Sequence, residues 1–219
     1  MPSAESLAEP MRSRWSPSIF DAEHRLSAEE IETLLHAAQW SPSYGNTQPW
    51  AFLVAERGSA GHGVLTQHLS RGNSGWVPRA SVVFLNATQV ADAPDEPADG
   101  PPPARPPKPV DVTINLYCAG QAAAQLSLQA HAMGLWTHQF RGFDKDPVAA
   151  ALGVPPHWRL VAGIAVGVRG NPAEVSERDQ QREHRVRSRK PLSEIAYGDA
   201  WGVSWDGVLG QDPPATLGG

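Results

Sequence analysis

The side chains best suited to binding chemistry occur in three separated polar segments. These are RWSPSIFD at 14–21, SPSYGNTQPW at 41–50 and RVRSRKPL at 185–192. Arg187 and Arg189 alternate in the third segment, and alternate side chains of an extended chain point to one side, where two guanidinium groups can hold a phosphate. Amide side chains and loop N–H groups in the second segment suit the edge of a heteroaromatic ring. Together the segments predict a site for a phosphorylated aromatic ligand.

Each segment also has a plain structural interpretation, which the residues alone leave open. Arg14 and Ser16 can be the lead-in to a helix, and the Ser/Asn/Gly loop can be turn chemistry. The basic run between 178 and 190 contains acidic residues as well, which is typical of a solvated face.

Motifs for other kinds of chemistry are missing from the sequence. It contains no G-x-G-x-x-G, P-loop, G-x-S-x-G or H-E-x-x-H pattern. The eight histidines are scattered without metal-ligand spacing, so we expect ordinary structural histidines and no metal site. No catalytic side chain is predicted, and the chemistry is expected to come from a bound molecule.

Bulk composition is that of a globular enzyme-sized domain. The 219 residues favour one domain over two, and the net charge of -5 argues against a nucleic-acid binder. The single cysteine excludes an internal disulfide framework and favours a reducing cytoplasm. The N-terminus lacks the apolar core of a signal peptide, and no apolar run reaches the roughly 18 residues of a membrane span. Most of the eight tryptophans are expected in the core.

Periodicity and capping signals predict a mixture of helices and strands. Ser27 and Glu30 form a capping box before a helix at 28–39, and Gly134 closes a long, centrally packed helix at 111–132. We further expect helices at 59–70 and after Asp146-Pro147, buried strands at 50–55 and 80–87, strands at 135–140 and 159–170, and a short helix within 190–205.

These elements lack strict βαβ alternation, which predicts an α+β fold. Eight of the sixteen residues from 94 to 109 are proline, and we interpret 92–109 as an insertion within one domain rather than a linker. The predicted organisation is an N-terminal extension at 1–13, a single domain at 14–205 and a disordered tail at 206–219.

Five ordered segments resemble the nitroreductase family of FMN-dependent oxidoreductases: RWSPSIFD, AAQWSPSYGNTQPW, RGNSGW, GLWTHQFRGFD and RSRKPL. The most specific is P-S-x-x-N-x-Q-P-W at 42–50. The resemblance runs from about Arg14 to Trp201. It implies a nitroreductase-like fold, with a mostly antiparallel central sheet between helices, and an intertwined homodimer with two FMN sites at its interface. The long helix is then expected at the interface, with the tail after Gly198 wrapping the partner.

By position, the resemblance also assigns roles at the FMN site. Phosphate and ribityl contacts are expected from Arg14, Trp15, Ser16, Arg187 and Arg189. Asn73 is expected at the pyrimidine edge, and backbone N–H groups of Gln139, Arg141 and Gly142 at the flavin N5. The loop residues expected to reach the flavin of the partner subunit are Pro42, Ser43, Asn46 and Gln48.

Two residues depart from the family pattern. Ser18 stands where Arg or Lys is common beside the flavin N1/O2 edge, and the loss of that cation is expected to make reduction less favourable. Arg141 stands where a small or acidic residue is more usual, and it is expected to modulate the flavin or to narrow the substrate channel. A Ser18→Arg change is accordingly expected to raise the flavin midpoint potential.

The implied activity is ping-pong electron transfer from NADH or NADPH to nitroaromatics, quinones or similar flat acceptors. Alternatives left open are a flavin carrier or regulatory protein, and a divergent enzyme that dehalogenates, oxidises azolines or fragments the flavin. The proline-rich segment is equally compatible with a lid and with an inert insertion. Neither nucleic acid nor membrane is expected as a partner.

Overall fold

The structure, a computed structural model, describes residues 6–93 and 110–205. The predicted tail lies outside this range, as does the proline-rich insertion from 94 to 109. The described residues form a four-stranded antiparallel sheet in the order β1-β2-β4-β3. Its strands are β1 (Trp50–Glu56), β2 (Val82–Gln89), β3 (Trp136–Phe140) and β4 (Trp158–Gly167). The predicted α+β class is confirmed.

Six α-helices accompany the sheet in the described residues. They are α1 (Glu9–Ser13), α2 (Ala28–Gln39), α3 (Ala60–Gln67), α4 (Val112–Ala132), α5 (Lys145–Ala151) and α6 (Glu177–Glu183). None of them combines the length and the apolar character that crossing a bilayer requires.

Helix α2 begins where the sequence predicts, because its capping box forms. The Ser27 hydroxyl accepts from the Glu30 N–H at 3.2 Å, and the Glu30 carboxylate accepts from the Ser27 N–H at 2.7 Å. Two backbone donors that the first helical turn leaves unpaired are thereby satisfied. Helix α4 also matches its prediction, with Asp111 at its N-cap and Gly134 in the left-handed region (φ 76°) just after it.

The sheet separates two apolar clusters, since successive strand residues point to opposite faces. Val82 and Phe84 of β2 pack with α2 and α4 on one face. Val83 and Leu85 pack with α3, α5 and the buried Trp76 on the other. Small buried residues of α4 let this helix lie directly against the sheet; they are Cys118, Ala119, Ala122, Ala123 and Ala130.

Several sequence predictions are wrong in detail. Strand β1 is an edge strand in which only Ala55 is fully buried, whereas a buried strand was expected. Helix α3 ends at Gln67, and α5 begins at Lys145, ahead of the predicted Asp146-Pro147 start. No helix was predicted in the basic run, yet α6 forms at its start and buries Asp179. The helix predicted within 190–205 is a single 3₁₀ turn, Leu192–Glu194.

The tryptophans also differ from the expectation that most belong to the core. Trp76 is 2% exposed, whereas Trp40 and Trp201 are 85% and 89% exposed. Trp40 and Trp201 therefore contribute little to the core.

Candidate functional site

One cavity of about 470 Å³ brings together seven of the predicted site residues: Arg14, Trp15, Ser16, Ser18, Asn73, Arg187 and Arg189. We call it the arginine cavity. These residues come from three distant parts of the chain, and only folding makes them neighbours. A second cavity of about 420 Å³ adjoins it, since both are lined by Arg14, Ser16 and His138; Gln139 lines the second one.

The arginine cavity carries uncompensated positive charge. Burial, and then the nearby charge of Arg189, lower the pKa of Arg14. Burial, followed by the charges of Arg189 and Arg14, lowers the pKa of Arg187. Within 6–93 and 110–205, carboxylates pair with Arg79, Arg169 and Arg182, and none pairs with Arg14, Arg187 or Arg189. An anion bound between the three guanidinium groups would relieve their repulsion.

The Arg187 side chain holds the N-terminal segment in place beside the cavity. Its guanidinium donates to the backbone carbonyls of Arg12 (2.6 Å) and Arg14 (2.5 Å) and lies 5.7 Å from the Trp15 ring centroid. The Arg14 guanidinium in turn donates to the Ser16 hydroxyl at 3.2 Å. Arg189 is exposed and donates only locally, to the Ser188 carbonyl, among the bonds seen in the described chain. Arg14 and Arg189 therefore keep donors for a ligand.

Gly142 is tied to the same region through its carbonyl. This oxygen accepts from the Asn73 side-chain amide at 3.0 Å and from the Ser70 N–H at 2.9 Å. A Cβ at position 142 would lie 2.5 Å from the Ser70 hydroxyl and 2.6 Å from the Asn73 amide nitrogen, so a larger residue would displace these two side chains. Arg141 is exposed and does not line either cavity.

Gln139 contributes differently from its neighbours in β3. Its side-chain amide donates to the Ser127 hydroxyl of α4 at 3.0 Å, which places this side chain on the α4 face of the sheet. His138 lies on the opposite face, where its ring stacks on Trp76 with centroids 4.2 Å apart. Strand β3 is an edge strand, and both cavities lie along it.

His138 is a site residue that the sequence analysis missed. Its Nδ1 lies 2.8 Å from the Pro17 carbonyl, which can only accept, so Nδ1 carries the proton. Burial lowers the pKa of His138, with a smaller opposing effect from that hydrogen bond and a further lowering by the Arg182 charge. The neutral ring therefore presents Nε2 as an acceptor. A histidine within a strand pattern gave no signal of this role.

Ser18, the first departure from the family pattern, lies under α6. It is 3% exposed, and its N–H donates to the Glu183 carboxylate, which also pairs with Arg169 at 3.3 Å. The neighbouring Arg182 lines the arginine cavity together with Ser18. Arg182 was not among the predicted site residues, because the polar residues around it gave no sign of a helix that would bring it to the cavity.

The loop of Pro42, Ser43, Asn46 and Gln48 does not reach the arginine cavity of its own chain. Asn46 and Gln48 adopt positive φ (56° and 48°), which is uncommon for residues other than glycine. The Gln48 N–H donates to the Ser43 hydroxyl at 3.0 Å, and the Gln48 amide donates to the Asn46 oxygen at 3.2 Å. The Asn46 and Gln48 side chains are thus held by each other, and both residues are exposed.

The residues present fit FMN. A phosphate monoester matches the uncompensated arginines, and the amide and ring groups of Asn73, His138 and Trp76 match a polar heteroaromatic ring. Among the described residues, no three His, Cys, Asp or Glu side chains gather as a metal site requires.

Comparisons with known proteins agree with this fit. A 5,6-dimethylbenzimidazole synthase of Rhodospirillum rubrum is 30% identical over 160 residues, covering 65% of this chain and 72% of that enzyme. An oxygen-insensitive NAD(P)H nitroreductase of Enterobacter cloacae is 49% identical over 49 residues, which span only 22% of this chain and 23% of the enzyme. The crystal structure of an oxidoreductase containing FMN aligns with a TM-score of 0.78 and 27% identity, covering 93% of this chain and all of the other.

The sequence profile of the nitroreductase family matches residues 11–99 and 105–168, which is more than half of the chain. The matched ranges include Arg14, Asn73 and Gly142. They stop short of α6, Arg187 and Arg189. With the fold and the cavity described above, the match shows that this chain belongs to the nitroreductase family.

Proposed function

We propose that this chain is an FMN-dependent oxidoreductase that takes electrons from NADH or NADPH and passes them to nitroaromatics, quinones or similar flat, electron-poor acceptors. The observation that carries the proposal is the arginine cavity, where Arg14, Arg187 and Arg189 converge without carboxylate partners in the described chain. The FMN of the aligned oxidoreductase and the NAD(P)H named for the Enterobacter relative support it.

In this proposal the three arginines hold the FMN phosphate, and Ser16 assists at the ribityl chain. Asn73, oriented by the Gly142 carbonyl, faces the pyrimidine edge. Backbone N–H groups from Gln139 to Gly142 point toward the flavin N5. FMN, when bound, supplies the hydride-transfer chemistry, so the protein needs no nucleophile or general base of its own. The exposed Arg141 lies at the margin, where it meets the incoming donor or acceptor.

Donor and acceptor use one face of the cofactor in turn, in a ping-pong sequence. The protein's part is to leave that face open and to keep the two substrates from binding together. In this arrangement the nicotinamide donor needs no nucleotide-binding domain of its own. The lack of a G-x-G-x-x-G motif in the sequence agrees with that.

We further propose that the working form is a homodimer in which the 42–48 loop completes the cavity of the partner subunit. The exposed amide side chains of the loop support this, as do the exposed aromatic side chains of Trp40, Tyr44, Tyr117 and Trp201. Sedimentation of the FMN-loaded protein should give twice the chain mass. Gln48→Leu should weaken FMN binding although Gln48 is remote from the cavity of its own chain; unchanged binding would argue against a shared site.

The test of the proposed activity is spectroscopic. Purified protein should be yellow or become yellow with FMN, lose the colour anaerobically with NADH or NADPH, and regain it with a nitroaromatic or a quinone. Protein that takes up no FMN refutes the cofactor proposal. Protein that stays yellow with both nicotinamides refutes the reductase and leaves the flavin-carrier alternative.

A second candidate is 5,6-dimethylbenzimidazole synthesis, the activity named for the Rhodospirillum rubrum relative that matches over most of its length. The distinguishing experiment supplies FMN, NAD(P)H and oxygen, and analyses the products by chromatography and mass spectrometry. Formation of 5,6-dimethylbenzimidazole with loss of FMN would favour this candidate. Recovery of intact FMN after many turnovers would favour the reductase.

A further inference from the structure

Helix α6 occupies the place that the Ser18 departure leaves open. Ser18 is 3% exposed, and its N–H donates to the carboxylate of Glu183, the last residue of α6. A long cationic side chain at position 18 would have to share this space with α6. The small serine and the docked helix are therefore two parts of one arrangement.

The residue before Glu183 is an arginine that faces the same cavity. Arg182 lines the arginine cavity with Ser18, Asn73 and His138. Its guanidinium donates to the Gly72 carbonyl at 3.1 Å and pairs with the Asp179 carboxylate at 3.2 Å. Asp179 is 7% exposed, and its carboxylate accepts from the Ser176 hydroxyl at 2.8 Å. The carboxylate that pairs with Arg182 is therefore itself held in place.

Arg182 lies close to the residue proposed for the pyrimidine edge of the flavin. Gly72, whose carbonyl it contacts, directly precedes Asn73, the residue proposed for that edge. The Arg182 charge also reaches the cavity wall, because it contributes to lowering the pKa of His138. A fixed cation at this edge stabilises the negative charge that accumulates there on reduction.

We propose that Arg182 supplies, from α6, the cation that Ser18 does not supply, and that it sets the reduction potential of the bound FMN. This inference rests on the proposed function, since it requires FMN in the arginine cavity. Arg182 acts on the reduced cofactor in particular. Its loss therefore affects reduction more than binding of the oxidised form.

The experiment compares Arg182→Gln with the wild type by anaerobic equilibration against a reference dye. We expect the equilibrium for two-electron reduction to fall about tenfold, which corresponds to about 30 mV. Dissociation of oxidised FMN, followed by fluorescence, should change by no more than a few-fold. Arg182→Lys retains the charge and should retain most of the potential. Arg159→Gln, which removes an exposed arginine at the far end of β4 and outside the cavity lining, is the control and should leave the potential unchanged.

One further variant protects the test against misfolding. Asp179→Asn removes the counter-charge of Arg182 and should raise the potential, which is a shift opposite in sign to that of Arg182→Gln. FMN bound with an unchanged potential in Arg182→Gln, or an equal fall in Arg159→Gln, overturns the role of Arg182 alone. Failure of every variant and of the wild type to bind FMN overturns the proposed function instead.

Discussion

Replacing Arg14 with glutamine tests the phosphate site most directly, because it should have opposite effects on the empty and the loaded protein. In the protein without ligand, burial and the charge of Arg189 lower the pKa of Arg14, so the fold disfavours the charged form. The neutral glutamine removes that penalty. We expect the free energy of unfolding of the ligand-free variant to be unchanged or slightly higher.

With FMN the sign reverses. A charge-assisted hydrogen bond to a phosphate contributes roughly 1.5–3 kcal/mol. A loss of about 2 kcal/mol corresponds to about a 30-fold weaker dissociation constant. At a concentration 100 times the wild-type constant, FMN should stabilise the wild type by about 2.7 kcal/mol and the variant by only about 0.9 kcal/mol.

Chemical denaturation with and without FMN measures both quantities, and riboflavin provides the decisive comparison because it lacks the phosphate. Arg14→Gln should weaken FMN binding and leave riboflavin binding nearly unchanged. Arg159→Gln, an equal charge loss on an exposed residue at the far end of β4, is the control and should affect neither. An equal loss for both flavins, or a destabilised ligand-free variant, would refute the assignment of Arg14 to the phosphate.

Three other predictions concern the frame around the cavity. Gly142→Ala places a Cβ 2.5 Å from the Ser70 hydroxyl and 2.6 Å from the Asn73 amide. We expect the free energy of unfolding in denaturant titration to fall by about 1–3 kcal/mol and FMN binding to weaken. Unchanged FMN binding would contradict the role of Asn73. Ser27→Ala should lower the free energy of unfolding by about 1 kcal/mol in the same assay, because it removes the N-cap of a helix. FMN affinity should not change, because this helix lies outside the site. Burial is the largest cause that lowers the pKa of His138 in the folded protein below its unfolded value. The neutral ring therefore stabilises the fold at pH values above the unfolded pKa, and this stabilisation is lost as the pH falls through and below the unfolded pKa. His138→Gln should therefore flatten the fall in melting temperature between about pH 7 and pH 5; an equally steep fall would contradict this.

Much of the fold follows from local patterns in the sequence. The capping box at Ser27 and the terminal Gly134 define α2 and α4, because capping and left-handed turns depend on a few adjacent residues. The edge position of β1 could not be predicted, because Trp50–Glu56 is simply an apolar run in the sequence. Only the strand order shows that β1 pairs with β2 alone among the described strands. Helix α6 was missed because all seven of its residues are polar, so they carry no apolar periodicity.

The candidate site likewise combines features that the sequence predicts with features that only the fold determines. The sequence alone determined which groups are available, namely the alternating arginines, the amide-rich loop and the serine in place of a cation, and through them the resemblance to a flavoprotein family. Tertiary structure decided which of them meet. The Arg187 guanidinium donates to the Arg14 carbonyl, 173 residues away in the chain, and the alternation of β3 places His138 on Trp76 and Gln139 on α4. Side-chain chemistry is local to the sequence, whereas the distances that turn it into a site depend on long-range packing.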